Sequence, residues 1–198
     1  MDKQPALNEF EHDHEHHLLS FGIRLLLTVL IVVGLLFSLR SFLAELMLLR
    51  ASSYFSSYYF DDAARMSKKI VSFDKDNTKA WGLLGKVYKE KEMMDRSAGN
   101  SAKEDEDIEN SIAAYEKAFS LDPTDIRIGF EIGMLCFSKR EFSKAARYFE
   151  YVRNMVAEGR SGGFGYYRMT LTMLQKCYEA LGETNKAKQI QKNLEKTS

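Results

Sequence analysis

Between Phe21 and Leu39 the chain reads FGIRLLLTVLIVVGLLFSL, with Arg24 as its only charge. Wound as a helix, this run spans roughly 28 Å, about the hydrocarbon thickness of a bilayer. It is apolar on every side, which does not suit a helix that lays one face on a core. Arg24 lies one turn from the start, where its long stem can snorkel to the headgroups. A cleaved signal peptide is the competing reading, and it needs a basic leader and a small-residue cleavage site. Residues 1–20 instead hold one lysine against Asp2, Glu9, Glu11, Asp13 and Glu15, and no A-x-A motif follows. The expectation is a retained single-pass anchor at 21–39, with the bilayer as one partner. Lys3 and Arg24 on one side balance Arg40 and Arg50 on the other, so the positive-inside rule leaves the topology open.

Ahead of the apolar run lies an acidic, histidine-rich tail, residues 1–20, expected to be disordered. Its HDHEHH stretch carries His12, His14, His16 and His17. Imidazoles this close can take zinc, nickel or copper. No cysteine or fixed scaffold holds them, so the plainer reading is a polar tail whose charge varies near neutral pH. Metal on the tail is kept as the alternative, in which the chain is a metal-responsive or chaperone-like membrane factor. Cys136 and Cys177 are too few for a disulfide framework and lack zinc spacing; both are expected as small buried apolar residues. The 28 basic and 28 acidic residues cancel, which gives no reason to expect nucleic acid. With only Pro5 and Pro123 in the chain, long helices are open almost everywhere.

Beyond the anchor a pattern recurs. In WGLLGKVY, Trp81, Leu84 and Tyr88 fall at i, i+3 and i+7 and share one helix face, while Gly85 permits close approach of a second helix. After a break, SIAAYEKAFSLDPTD brings Tyr115, Ala118, Phe119 and Leu121, then Pro123. The residue before a proline avoids the helical region, so the helix stops there. Further on, Gly133, Phe142, Ala145 and Phe149 repeat the order, and Leu171, Leu174, Tyr178, Gly182 and Ala187 repeat it again with Gln175 and Gln191 at the glycine and aromatic positions. Upstream, Phe60, Ala63 and Ile70 match a second helix, behind a degenerate first helix near 43–57.

These residues resemble the tetratricopeptide repeat, a 34-residue pair of antiparallel helices. Together with the apolar run, the resemblance implies an all-α chain: one N-terminal transmembrane helix, then a short right-handed solenoid over 43–198. Its repeats would cover about 44–77, 78–125, 126–158 and 168–198. Ser111 departs from the family's usual alanine. One repeat cannot bury its own apolar face, so several must stack. A helix running through Arg40 is expected to join the anchor to the first repeat with little or no linker.

Two stretches interrupt the period. Residues near 92–107, polar and acidic, exceed a standard repeat and are expected as an exposed or disordered loop. EGRSGGFGYYR, residues 158–168, is glycine-rich, but no strand precedes it and no G-K-[ST] follows, which argues against a phosphate loop. It is expected as a connector, with Phe164 and Tyr166 packing back or meeting a partner.

The family's first helices line a concave groove for peptides. Carried over by position, the resemblance implies a basic strip of Lys79, Lys86 and Lys89 beside Arg127, Phe130, Met134 and Phe137; the competing reading makes the lysines a solvated face and the Phe/Met set core. Gly82 and Lys86 stand where chaperone-binding members carry lysine and asparagine, so a chaperone clamp is poorly matched. All four histidines precede the anchor, leaving no Ser-His-Asp or Cys-His set in the repeats. The expected role is non-enzymatic and cofactor-free: a membrane-anchored scaffold or assembly subunit that binds a protein partner through the groove.

Overall fold

The computed structural model describes the backbone of residues 5–159 and 164–195, and the side chains of 22–159 and 165–195. All regular structure among the described residues is helical. The chain falls into two units, Met1–Glu45 and Leu46–Ser198.

Helix α1 (Pro5–Ser56) makes up the first unit and ends inside the second, so the chain is helical through Arg40 as expected. The tail differs from the expectation of disorder, being helical from Pro5 onward. The four histidine side chains lie outside the described residues. From Ile23 to Leu39 the large apolar side chains are more than half exposed.

In the second unit follow α2 (Phe60–Phe73), α3 (Thr78–Ser97), α4 (Ser101–Leu121), α5 (Ile126–Ser138), α6 (Phe142–Ala157), α7 (Phe164–Ala180) and α8 (Thr184–Glu195). From α2 to α8 each helix packs on the next, and α5 also meets α7. The end of α1 contributes buried Leu48 and Ala51, and its Phe55 lies 5.6 Å from Phe60 of α2. The hairpins are therefore α1–α2, α3–α4, α5–α6 and α7–α8.

Two glycines set how closely the helices of a hairpin cross. A Cβ on Gly85 would stand 2.6 Å from the Tyr115 ring, and one on Gly133 would stand 2.6 Å from the Phe149 ring. Real carbon contacts lie near 3.5–4.0 Å, so no other residue fits without separating the helices. Ser111, the departure from alanine, is buried and donates its hydroxyl to the Gly85 carbonyl at 2.8 Å. The crossing thus gains a hydrogen bond where alanine would supply only contact.

One turn closes all four hairpins. Tyr58, Gly99, Arg140 and Gly182 each adopt positive φ, between 62° and 73°. The next residue's N–H reaches back five positions: Tyr59 to Tyr54, Asn100 to Asp95, Glu141 to Cys136 and Glu183 to Tyr178, at 2.8–2.9 Å. This is the Schellman closure, whose left-handed residue is normally glycine. Tyr58 and Arg140 hold it at a steric cost.

The stretch near 92–107 is not a loop. It lengthens α3 and α4, leaving only a short turn at Gly99 between them. Its Ala, Glu, Lys and Met residues are good helix formers. Arg96 fastens the two extensions together by pairing with buried Glu92 on α3 and with Glu104 on α4. An excess that falls evenly on both arms of a hairpin preserves its register. Repeat four also starts earlier than expected, at Phe164, and Tyr166 packs 5.4 Å from Phe130. Residues 160–163 and the Phe164 side chain, within the glycine-rich connector, lie outside the described residues.

Candidate functional site

Leu84, Tyr88, Tyr115, Ala118, Ala145, Phe149, Tyr178 and Ala187 are buried. Trp81 is half-buried, and its indole N–H donates to the Lys75 carbonyl at 2.9 Å, holding the α2–α3 connection. Pro123 lies just past α4, and its carbonyl accepts from the Tyr151 hydroxyl at 3.2 Å. Both cysteines are buried thiols, with burial pushing each pKa up to about 11. Protonated thiols of this kind are poor nucleophiles and metal ligands.

The first-helix groove comes out differently from its sequence outline. Phe130 is buried between Phe149 at 5.5 Å and Tyr166 at 5.4 Å, so it belongs to the core. Met134 and Phe137 are half-buried against the same core, Phe137 meeting Phe142 edge-on at 5.3 Å. The apolar strip is thus largely consumed in packing α5 on its neighbours. Tyr166, which makes Phe130 inaccessible, lies past the glycine-rich connector, and no local spacing shows that contact. Of the basic strip, Lys89 bonds Glu131 across α3 and α5 at 2.7 Å. Lys86 stands over the Phe55 ring at 4.7 Å. Arg127 pairs with Asp125, the residue that caps α5. Lys79, Lys86 and Arg127 stay exposed.

A concavity opens on the second helices, where sequence reasoning placed nothing. It is a cleft of about 890 Å³ with α2 as one wall, α4 as the other and α3 as the floor. The extension of the second hairpin supplies much of it, since Lys91, Met94 and Asp95 of α3 and Lys103, Glu106 and Asp107 of α4 all line it. On the floor, Lys91 bonds Asp61 at 2.7 Å, and that bond holds the Asp61 carboxyl below its ordinary pKa. Asp107 is buried; desolvation pushes its pKa up, Lys91 opposes the rise, and a hydrogen bond with Asp95 adds to it. Lys68 lies over the Tyr88 ring at 5.4 Å. At one end Tyr58 is 80% exposed and meets Phe60 edge-on at 6.0 Å. The missed signal was the good helix-forming composition of 92–107, which could have raised the second wall in advance.

Among the described residues no cluster of His, Cys, Asp and Glu is placed to hold a metal ion. The tail histidines lie outside them.

A family model for "Tetratricopeptide Repeats-Sensor" matches residues 40–132, from late α1 into α5. No curated protein matches the chain. Among solved structures, MamA is similar at a TM-score of 0.59 with 20% identity over 76% of this chain and 70% of that one. The Yersinia enterocolitica type III secretion translocator chaperone SycD is similar at 0.53 with 15% identity over 67% and 81%. The chaperone has also been solved with a peptide of the translocator YopD. Naa15/Naa10 bound to HypK-THB is similar at 0.54 with 19% identity, over 78% of this chain and 20% of the matched one. At such identities the likeness is one of fold. Stacked hairpins and glycine–aromatic crossings thus give the chain a tetratricopeptide-repeat fold, and residues 40–132 match a model of that family.

Proposed function

We propose that the chain is a membrane-anchored scaffold that holds a partner protein beside a bilayer. The observation that carries the scaffold half is the repeat solenoid itself, whose core is spent on helix packing and whose open faces are left for contacts. Proteins of similar fold have been solved with a translocator peptide and with a HypK segment, which supports a peptide- or protein-binding role here. The role is non-catalytic.

Support for the anchor is physical. The helix from Gly22 to Ser56 is long and apolar enough to cross a membrane by length and composition. Its most apolar stretch is not buried, unlike the core helix of a soluble protein. Lipid is the solvent in which such a surface is stable. Tethering raises the effective concentration of a bound partner near the bilayer.

On the first helices the surface offered to a partner is basic: Lys79, Lys86 and Arg127. Phe130 has no part in it. The test is co-purification from detergent extracts. A full-length Lys79→Glu, Lys86→Glu variant is expected to reach the membrane and lose the partner, because reversed charge removes electrostatic complementarity. A chain lacking 21–39 is expected to keep the partner and leave the membrane. If the double variant keeps every partner while the anchor-deleted chain loses them, recognition runs through the apolar helix and the scaffold reading fails.

A further inference from the structure

The cleft between α2 and α4 rests on that scaffold reading and narrows it. We propose that it binds an extended acidic segment of a partner protein, with one apolar side chain of the segment seated against Tyr58 and Phe60.

The shape is a trough. Along the α2 wall, Asp61 to Ser72 covers roughly 16 Å of helix. That length matches about five residues of extended chain. The floor is Tyr88, Lys91 and Met94, with Met94 58% exposed.

Some of the charges are engaged within the protein: Lys91 on the floor pairs with Asp61, whose side chain stands exposed at the edge, and buried Asp107 hydrogen-bonds Asp95. Toward solvent stand Lys68, Lys69 and Lys103, with Glu106 as the acid outside those pairs. Among the described residues no ion pair engages Lys69 or Lys103. An occupant therefore meets a surplus of amino groups at the rim. It also meets Glu106, which calls for a donor, and Asn110, whose amide both accepts and donates. A peptide supplies both kinds of group, carboxylates for the lysines and backbone N–H groups for the acceptors. A phosphate polymer supplies acceptors alone and would be repelled by the acids, so a protein segment is favoured.

The turn at Tyr58 adds an independent observation. The same left-handed position is glycine in the hairpins closed by Gly99 and Gly182. A tyrosine there costs backbone strain and leaves its ring in solvent, and strain of this kind collects at binding sites. Beside the cleft, that ring gives a hydrophobic contact at low entropy cost.

The experiment uses the full chain in detergent micelles and an array of capped hexapeptides of Asp and Glu carrying one Phe at each position in turn. Their Asn and Gln counterparts and inorganic phosphate serve as comparisons. An acidic member is expected to bind at least about tenfold more tightly than its amide counterpart. A Lys69→Glu, Lys103→Glu variant should lose about tenfold or more, whereas Arg147→Glu, on exposed α6 surface, should change nothing. Tyr58→Gly separates binding from folding, since it should weaken binding while raising the melting temperature. Equal binding of amide peptides, an unchanged double variant, or full competition by phosphate would each overturn the proposal. If no acidic peptide binds but the Lys79→Glu, Lys86→Glu variant still loses its partner, the cleft assignment alone fails. Should that variant also keep its partners, the scaffold reading falls with it.

Discussion

Gly82 and Gly85 lie one turn apart on α3, and replacing each with alanine separates helix propensity from packing. Both changes gain the same intrinsic term, about 1 kcal/mol in favour of alanine. At Gly82 the new methyl would meet only Ile128 Cδ1, at 3.8 Å, an ordinary contact. Gly82→Ala is therefore expected to stabilise by up to about 1 kcal/mol. At Gly85 the methyl would stand 2.6, 2.7 and 2.9 Å from three ring carbons of Tyr115. The ring must retreat by about 1 Å to reach normal contact. Tyr115 is buried and cannot swing into solvent. The helices must part instead, which also stretches the 2.8 Å bond from Ser111 to the Gly85 carbonyl. Overpacking costs about 1–3 kcal/mol and a weakened buried hydrogen bond up to about 1 more. After the propensity gain, Gly85→Ala should destabilise by up to about 3 kcal/mol. In a unit of this size that lowers the midpoint by about 2–4 °C per kcal/mol. Thermal unfolding of the full chain in micelles, followed by far-UV circular dichroism, reads both variants. Equal shifts for the two would refute the close crossing at Gly85 and the repeat register built on it.

Arg140→Gly should stabilise by about 1 kcal/mol, by relieving a left-handed residue that carries a side chain; denaturant midpoints check it, and a loss of stability would show that the arginine side chain contributes more than the strain removes. Asp107→Asn should raise stability above neutral pH, because the buried carboxyl has a raised pKa in the folded state. Its stabilising effect is present below the unfolded pKa and lost as pH rises through the folded one, so the advantage of asparagine should shrink as pH falls. Melting curves across pH test this, and an advantage that grows toward acid would reverse the assignment. Deleting residues 93–106 should lower the helical signal in proportion to the residues removed and abolish acidic-peptide binding, because it takes away the Gly99 turn and part of the cleft floor and of the α4 wall. Unchanged ellipticity would restore the loop expected from composition.

What the sequence by itself determined is local and periodic. Trp81, Leu84 and Tyr88 share a helix face wherever the chain is wound, and Gly85 stands beside them as the small residue of the pattern. The apolar run 21–39 is likewise set by length and composition. Such features depend on the 3.6-residue turn and survive any change in long-range packing. What only the tertiary structure decided needs residues distant in sequence. Phe130 is core because Tyr166 arrives from past the connector. The acidic stretch is helical because Arg96 can reach Glu92 and Glu104 together once the two arms lie side by side. The cleft exists because α2 and the lengthened α4 flank the same α3. Polar composition marks a segment as solvent-facing, and a loop and the outer face of a long helix hairpin satisfy that condition equally well; the cross-pairing of the two arms selects the hairpin.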